Sequence, residues 1–193
     1  MGLFEREWFR GKYFSDLHFR SRFSLGEHGF YNKQWMYENP LHAPFLVKFP
    51  GVIKSGQVHE SMTSHVDIAP TILDFAGAAI PEDMQGFSLK PLLLGQKDQV
   101  RKASYYHFYS HGERLPEMIG VRTERYKLIH YPAMKGQARW ELFDLERDSE
   151  EMKNLAHKPE YKELKENLKK QLRQLIEEVD DDSVNAPALM SLK

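Results

Sequence analysis

The sequence predicts an α/β protein in two parts: a strand-poor first half that ends a larger α/β domain, and a small subdomain with a four-stranded antiparallel sheet and a C-terminal helix. In the first half, the nearly continuous apolar run PFLVKF is typical of a strand covered on both faces, as in a parallel sheet. In the second half, four β-prone runs follow one another at hairpin-like spacing. A leucine stripe near the C-terminus then predicts an amphipathic helix.

Composition excludes several classes of protein. The 193 residues carry 27 Lys and Arg against 28 Asp and Glu. The resulting net charge of −1 does not indicate a nucleic-acid-binding protein. No run of about eighteen apolar residues predicts a membrane span. The N-terminus, MGLFEREWFRGKYFSD, lacks the apolar region of a signal peptide, so the printed chain alone predicts a cytoplasmic protein. The absence of cysteine excludes disulfides, thiolate metal sites and a cysteine nucleophile.

The first elements follow from turn and breaker residues. Residues 1–22 are aromatic and basic without clear periodicity, and we expect them to be weakly ordered. Gly26 and Gly29 bracket a polar turn, and residues 34–39 form a short helix that Pro40 ends. The strand at residues 44–49 then ends at Pro50 and Gly51.

The rest of the first half holds one clear helix. We expect a second strand at residues 58–64, and Asp67 as the N-cap of a helix from Ile68 that stops at Gly77. Residues 86–95 form an apolar loop or helical turn. These strands are too few for a parallel sheet, which is why the first half looks like the end of a domain whose beginning is absent.

The second half reads as a complete sheet with a helical cover. The predicted strands are residues 103–109, 118–123, 126–131 and 139–145, joined by Glu124-Arg125 and by a loop through Pro132 and Gly136. Alternation in YKLIHY indicates a sheet with one covered face. Its cover is a helix from Pro159 to about Val179, with an ion pair between Glu166 and Lys170. We expect residues 183–193 to be a loose tail.

The candidate chemical residues are few. His107 and His111 have the i, i+4 spacing of helical zinc ligands, but they follow a predicted strand and lack a third ligand, which favours a structural role. His28 in GEHG is either a ligand or acid, or a residue hydrogen-bonded within the turn. Lys33 lies in a connection next to a strand end, where an ammonium holds an anion as a point charge or simply faces solvent. No phosphate-binding loop and no nucleophile elbow is present in the sequence.

Seven ordered segments then carry a resemblance to a known family. They are SLGEHGFYNKQWMYEN, PFLVKFPG, HVDIAPTILDFAG, GFSLKPLLLG, GVRTERYKLIHY, WELFDLERDSEEMKNL and the lysine-rich last helix. In this order they resemble the C-terminal portion of type I sulfatases, nearest to bacterial enzymes related to N-sulfoglucosamine sulfohydrolase and iduronate sulfatase. The resemblance runs from about Phe23 to about Val179.

The resemblance implies an alkaline-phosphatase-like α/β domain followed by the small subdomain. It also implies hydrolysis of a sulfate ester or sulfamate by a formylglycine nucleophile, made from Cys or Ser in a C/S-x-P/A-x-R motif, beside a calcium ion. Such a metal would hold the sulfate oxygens and stabilise the charge of the leaving group. The implied ligand of the intact family is a sulfated small molecule or glycan.

The implied site residues carry over only in part. Lys33 matches the family lysine that contacts the substrate sulfate, so we predict substrate binding there. The S-D-H/N-G motif that precedes the turn in relatives places its two metal ligands at Arg20 and Ser21, whereas Asp16 and His18 come too early. Met118 takes the position of a histidine that reads the substrate in many relatives. We therefore assign no catalytic and no metal-binding residue to this chain.

These expectations combine into one hypothesis with two alternatives. We expect residues 1–22 to be divergent, 23–100 to be the remnant of the catalytic domain, 101–180 to be the subdomain and 181–193 to be a tail. Since the nucleophile motif lies outside the sequence, we expect the chain to be inactive alone, and the N-terminal part of the same enzyme is a candidate partner. The alternatives are a sulfated-glycan binding module with Lys33, His111 and Arg114 at a groove, and one part of a split or misread gene. The compartment stays unassigned, because the intact family is usually periplasmic, secreted or lysosomal.

Overall fold

A computed structural model describes residues 16–19, 24–109, 115–134 and 137–181. Its strands are β1 (Asp16–Phe19), β2 (Ser24–Leu25), β3 (Tyr31–Asn32), β4 (Phe45–Lys48), β5 (Ala103–Phe108), β6 (Met118–Thr123), β7 (Tyr126–Met134) and β8 (Gln137–Asp144). Its α-helices are α1 (Glu38–Leu41), α2 (Ile68–Ala76), α3 (Lys90–Leu93) and α4 (Lys162–Glu178). Short 3₁₀ turns lie at Glu27–Gly29, His65–Asp67 and Pro159–Tyr161.

These elements fall into two compact units. Ala43–Arg101 and β1 form the first unit, and residues 24–42 and 102–181 form the second. The division into residues 23–100 and 101–180 stays a prediction, and the packing adds that residues 24–42 belong with the C-terminal sheet.

The first unit is built around the buried carboxylate of Asp67. Its side chain accepts hydrogen bonds from the backbone N–H of Ser64 and of Phe87, and it pairs with the guanidinium of Arg101. Gly86 allows this approach, because a Cβ there would lie 1.9 Å from the carbonyl oxygen of Val66. Asp67 therefore joins the loop before α2 to the loop before α3.

Several expectations for this unit need correction. Strand β4 pairs antiparallel with β1 and its side chains alternate between half-buried and exposed, so it is not the doubly covered parallel strand that its apolar letters suggested. Residues 58–64 form no strand. Asp67 does not cap α2 with its side chain, since it closes a capping box with Ser64 one turn earlier. The helix over Ile68–Ala76 and the left-handed Gly77 that ends it are confirmed.

The second unit contains the predicted sheet, a meander in the order β5-β6-β7-β8 with antiparallel pairs throughout. Strand β7 runs on through Pro132 with an irregular register, where the sequence predicted a loop. Helix α4 packs Leu168 and Leu172 against one face of the sheet, around Val121 and Leu128. The expected ion pair of Glu166 forms with Lys169 instead of Lys170.

The opposite face of the sheet is also covered, which corrects the prediction of a single covered face. Trp35, Met36 and Tyr37 are buried against residues of β6, β7 and β8. The helix expected at residues 34–39 is therefore displaced to Glu38–Leu41 and includes Pro40 in its first turn, where proline costs no hydrogen bond. Residues 183–193, expected to form a tail, lie outside the described residues.

Candidate functional site

The segment that carries Lys33 begins as a tight hairpin. Strands β2 and β3 pair with Leu25 opposite Tyr31, and both of these side chains are exposed. The connecting turn places Gly26 at φ 132° and Gly29 at φ 74°. A residue with a side chain would be strained at these angles. Lys33 follows β3 directly and is an exposed residue of this unit.

Stacked rings hold the hairpin on the segment that follows it. His28 adopts φ 57° and lies parallel to the ring of Tyr37, with 4.1 Å between the ring centroids. Phe30 stacks on Trp35 with 3.8 Å between centroids. The structure thus gives His28 a packing role in the turn.

A glycine in the sheet permits the close approach of this segment. A Cβ on Gly120 would lie 2.4 Å from Sδ of Met36 and 2.5 Å from the carbonyl oxygen of Leu128. Only glycine fits between the sheet and the segment at this point. Gly120 belongs to the segment GVRTERYKLIHY. This segment therefore leaves the space into which the segment SLGEHGFYNKQWMYEN packs.

Four charged side chains fix the end of the segment to the sheet. Nζ of Lys127, which is fully buried, lies 2.8 Å from Oε1 of Glu38 and 2.6 Å from Oε1 of Glu151. Arg122 donates two hydrogen bonds to the carboxylate of Glu38. Glu151 also accepts a hydrogen bond from the backbone N–H of Glu38 at 2.6 Å. Glu38 lies five residues after Lys33, so this cluster sets where the lysine-bearing loop leaves the sheet.

The same cluster shifts the pKa of its two carboxylates in opposite directions. Burial alone would raise the pKa of Glu38, but Lys127 and Arg122 outweigh burial and lower the pKa to about 2. Burial raises the pKa of Glu151, and Lys127 only partly opposes this effect. Glu38 is therefore ionised at every pH near neutrality.

A second polar network lies under Tyr37. Its hydroxyl donates to Oε2 of Glu141 at 2.8 Å, and the hydroxyl of Tyr131 donates to the same oxygen at 3.3 Å. Oε1 of Glu141 lies 2.5 Å from the guanidinium of Arg139. Burial, followed by the charge of Glu141, raises the pKa of both phenols. These groups satisfy one another, so they serve as a rigid support for the segment.

The second unit also contains an open pocket of about 840 Å³ between α1, the turn from β6 to β7 and the loop after β8. Its lining side chains are mostly charged, and carboxylates outnumber guanidinium groups. They are Glu27, Glu38, Asn39, His42, Arg122, Glu124, Arg125, Leu145, Glu146, Ser149 and Glu150. Lys33 does not line it, and a sulfate group would meet net negative charge there.

The residues described here do not fit a calcium site. Among them, no group of three or more His, Asp and Glu side chains could hold a metal ion. The two positions that the family motif assigns to the metal are Arg20 and Ser21, which lie outside the described residues, and a guanidinium cannot ligate a cation. We therefore assign no role in calcium chemistry to these residues.

The remaining candidates from the sequence take structural positions or are not described. Met118 is fully buried with Trp35 and Tyr131, so it cannot contact a substrate. His107 lies between two carboxylates, with Nδ1 2.7 Å from Asp181 and Nε2 3.1 Å from Glu117. His111 and Arg114 lie outside the described residues. Sequence reasoning missed Glu38, Lys127 and Glu151, whose pairing spans distant parts of the chain.

Solved structures with the same fold include several sulfatases. One, in complex with its substrate D-glucosamine-2-N,6-O-disulfate, matches with a TM-score of 0.77 and 37% identity over 83% of this chain and 33% of its own. A 2-O GAG sulfatase matches with a TM-score of 0.63 and 33% identity over 72% of this chain and 30% of its own. The chain therefore has the fold of the C-terminal region of sulfatases, which are alkaline-phosphatase-like α/β proteins.

Sequence comparison gives the family. Residues 26–178 match the family described as N-sulphoglucosamine sulphohydrolase, C-terminal, and the chain belongs to it. An N-acetylglucosamine-6-O-sulfatase of Bacteroides thetaiotaomicron is 40% identical over 161 residues, covering 81% of this chain and 28% of the relative. An arylsulfatase of Clostridium perfringens is 33% identical over 150 residues, covering 76% and 30%. The chain thus spans less than a third of the length of these relatives.

No helix among the described residues is long and apolar enough to cross a membrane.

Proposed function

We propose that these residues form the C-terminal part of a sulfatase that hydrolyses a sulfate ester or sulfamate on a sulfated glycan. In this proposal Lys33 contacts the sulfate group, while the nucleophile and the calcium site come from residues outside these 193. The 40% identity to an N-acetylglucosamine-6-O-sulfatase supports this assignment more strongly than any other single observation.

The local geometry supports the role of Lys33. An exposed ammonium group at the end of a two-stranded hairpin attracts an anion without the cost of a buried charge. The stacked rings of His28 and Tyr37 and the ion pairs of Glu38 hold both ends of the lysine-bearing loop. A sulfate contact gains from this rigidity, because less side-chain and loop freedom is lost on binding.

The printed residues supply no nucleophile of the family type. The chain contains no cysteine and no S-x-P/A-x-R string, so the formylglycine precursor is not among these residues. A sulfuryl transfer without an activated nucleophile retains only substrate positioning. We therefore propose that the chain positions substrate and is inactive alone.

A chimera tests this proposal directly. The matched C-terminal segment of the Bacteroides thetaiotaomicron N-acetylglucosamine-6-O-sulfatase would be replaced by residues 24–181. We expect the chimera to hydrolyse a 6-O-sulfated N-acetylglucosamine with added calcium, and the chain alone to show no turnover above background. Turnover of an aryl sulfate by the chain alone, clearly above a no-protein control, would contradict the inactive part of the proposal. A folded chimera without turnover would contradict the sulfatase part.

The second candidate function is a sulfated-glycan binding module without hydrolysis. It is favoured by the self-contained second unit, whose sheet has a hydrophobic core on each face. Retention of the chain on a heparin-type resin that depends on sulfation, together with an inactive chimera, would favour this candidate. Retention that ignores sulfation would dismiss it.

A further inference from the structure

Helix α4 carries a stripe of basic side chains. Lys162, Lys165, Lys169 and Arg173 recur at intervals of three or four residues and so lie along one side of the helix. The other charged side chains of the helix lie beside or opposite this stripe. They are Glu163, Glu166, Lys170, Glu177 and Glu178. Because the chain as a whole is nearly neutral, the stripe makes one side of α4 a local basic surface.

The basic stripe meets an aromatic ring on the sheet. Trp140 lies on β8, which is an edge strand in the described sheet. Nζ of Lys169 lies 4.8 Å from the centroid of a Trp140 ring, and Nζ of Lys165 lies 5.6 Å from it. Cation–π attraction to one indole therefore draws two ammonium groups together.

Each ammonium group is also held by an oxygen atom. Lys165 donates to the carbonyl oxygen of Ala156 at 3.2 Å, and Lys169 donates to Oε1 of Glu166 at 2.9 Å. These contacts fix two long side chains that would otherwise lose freedom on meeting a ligand. The pair is preorganised in the free protein.

The fixed pair carries an excess of positive charge. Partial burial, followed by repulsion from Lys169, lowers the pKa of Lys165. Glu166 faces Lys169 and partly offsets that charge, and Lys165 has a neutral carbonyl as its oxygen partner. An anion between the two ammonium groups would relieve the repulsion.

The ring beneath the pair is itself supported. His130 is buried and stacks on Trp140 with 4.1 Å between the ring centroids. Burial lowers the pKa of His130 to about 4, so the imidazole is neutral at physiological pH and adds no charge under the indole. The indole is therefore held between His130 and the two lysines.

We propose that Trp140, Lys165 and Lys169, extended by Lys162 and Arg173, bind the sulfated chain of a glycan substrate outside the reacting sugar. The ligand class rests on the proposed function, whereas the location rests on the basic stripe and the paired ammonium groups. Sulfate groups on neighbouring sugars match two fixed point charges that continue into a linear stripe. A duplex nucleic acid would instead require a broad basic surface, and the chain carries a net charge of −1.

The test measures binding of a size-defined heparin oligosaccharide to the full chain by calorimetry at two salt concentrations. We expect K165Q/K169Q to weaken binding about tenfold and to reduce its salt dependence. K54Q/K97Q removes the same charge from exposed lysines of the first unit and should leave affinity within about twofold. K165R/K169R keeps the charge and should bind like the natural chain, and desulfated heparin should not bind.

Each alternative result is informative. Unchanged affinity in K165Q/K169Q, or equal losses in K54Q/K97Q, would overturn the proposed surface. Equally tight binding of a single-stranded oligonucleotide through the same lysines would show a general polyanion surface and would also overturn it. If the chimera without these substitutions is inactive but still binds heparin through these lysines, only the sulfatase proposal is refuted.

Discussion

Glu38 and Lys127 form an ion pair in which Oε1 and Nζ lie 2.8 Å apart, although the residues are 89 positions apart in the chain. The pair ties the segment that carries Lys33 to the middle of the C-terminal sheet. Because Lys127 also meets Glu151, one buried ammonium group contacts two carboxylates. The positioning of the candidate substrate lysine therefore depends on the sheet rather than on the hairpin alone.

Removing this ammonium group should strongly destabilise the second unit. We expect Lys127→Met to lower the free energy of unfolding by about 3–5 kcal/mol, since it leaves two carboxylates without their buried partner. Urea denaturation followed by circular dichroism measures the change. Lys102→Met alters an exposed lysine and should stay within about 0.5 kcal/mol of the natural chain. A loss of that small size in Lys127→Met would show that the pair is not formed.

Gly120 should tolerate no side chain. In Gly120→Ala the new Cβ would meet the carbonyl oxygen of Leu128, which cannot move without disturbing the sheet. We expect a loss of about 1–3 kcal/mol in unfolding free energy. Met36→Ala relieves only the contact with Sδ. The double variant should therefore lose less unfolding free energy than the sum of the losses in the two single variants. Full stability of Gly120→Ala would contradict the close approach of residues 30–41 to the sheet.

His130 should make the fold sensitive to mild acid. Burial lowers its pKa from 6.5 to about 4, so below pH 6.5 the unfolded chain takes up a proton that the folded chain refuses. The associated stability is complete above pH 6.5 and falls, by about 3 kcal/mol, as the pH drops to about 4. His130→Phe keeps a ring against Trp140 and should remove this part of the pH dependence. His157→Phe changes an exposed histidine and should keep the natural profile.

Asp181 should hold the end of α4 on strand β5. Its carboxylate accepts hydrogen bonds from Tyr105 at 2.6 Å and from Tyr109 at 3.0 Å, and it lies 2.7 Å from Nδ1 of His107. Asp181→Asn loses the charge and one acceptor, and we expect about 1–3 kcal/mol less stability. Asp180→Asn changes the exposed neighbour and serves as the control. Hydrogen exchange of the last turn of α4 should rise only in the Asp181 variant.

The parts of the fold that sequence predicted well are those set by local pattern. Alternation and turn residues located the four strands, and the leucine spacing located α4, because each signal spans only a few neighbouring residues. The cover of the second sheet face was missed, since the contact of Trp35 and Met36 with β6 is long-range. The apolar letters of PFLVKF misled, because a half-exposed edge strand and a buried strand can share a composition.

The candidate site divides in the same way. Lys33 was found through its place in a motif, and its contact with substrate stays a prediction. No local sequence pattern marks the residues that position it, which are Glu38, Lys127 and Glu151. In the sequence they look like ordinary surface charges, and only the fold brings them together. For His28 the sequence left open a role as ligand or acid and hydrogen bonding within the turn, and the structure adds the stacking on Tyr37.

The most direct test of the account is the kcat/KM of the active chimera with Lys33 replaced by alanine. We expect Lys33→Ala to lower kcat/KM for the 6-O-sulfated sugar by about 30- to 100-fold, the effect of losing one charge-assisted contact to sulfate. Lys54→Ala should leave it unchanged, and both variants should unfold at the same denaturant concentration as the parent. An unchanged kcat/KM in Lys33→Ala would contradict the assignment of this lysine and the central claim that the segment presents it to the sulfate.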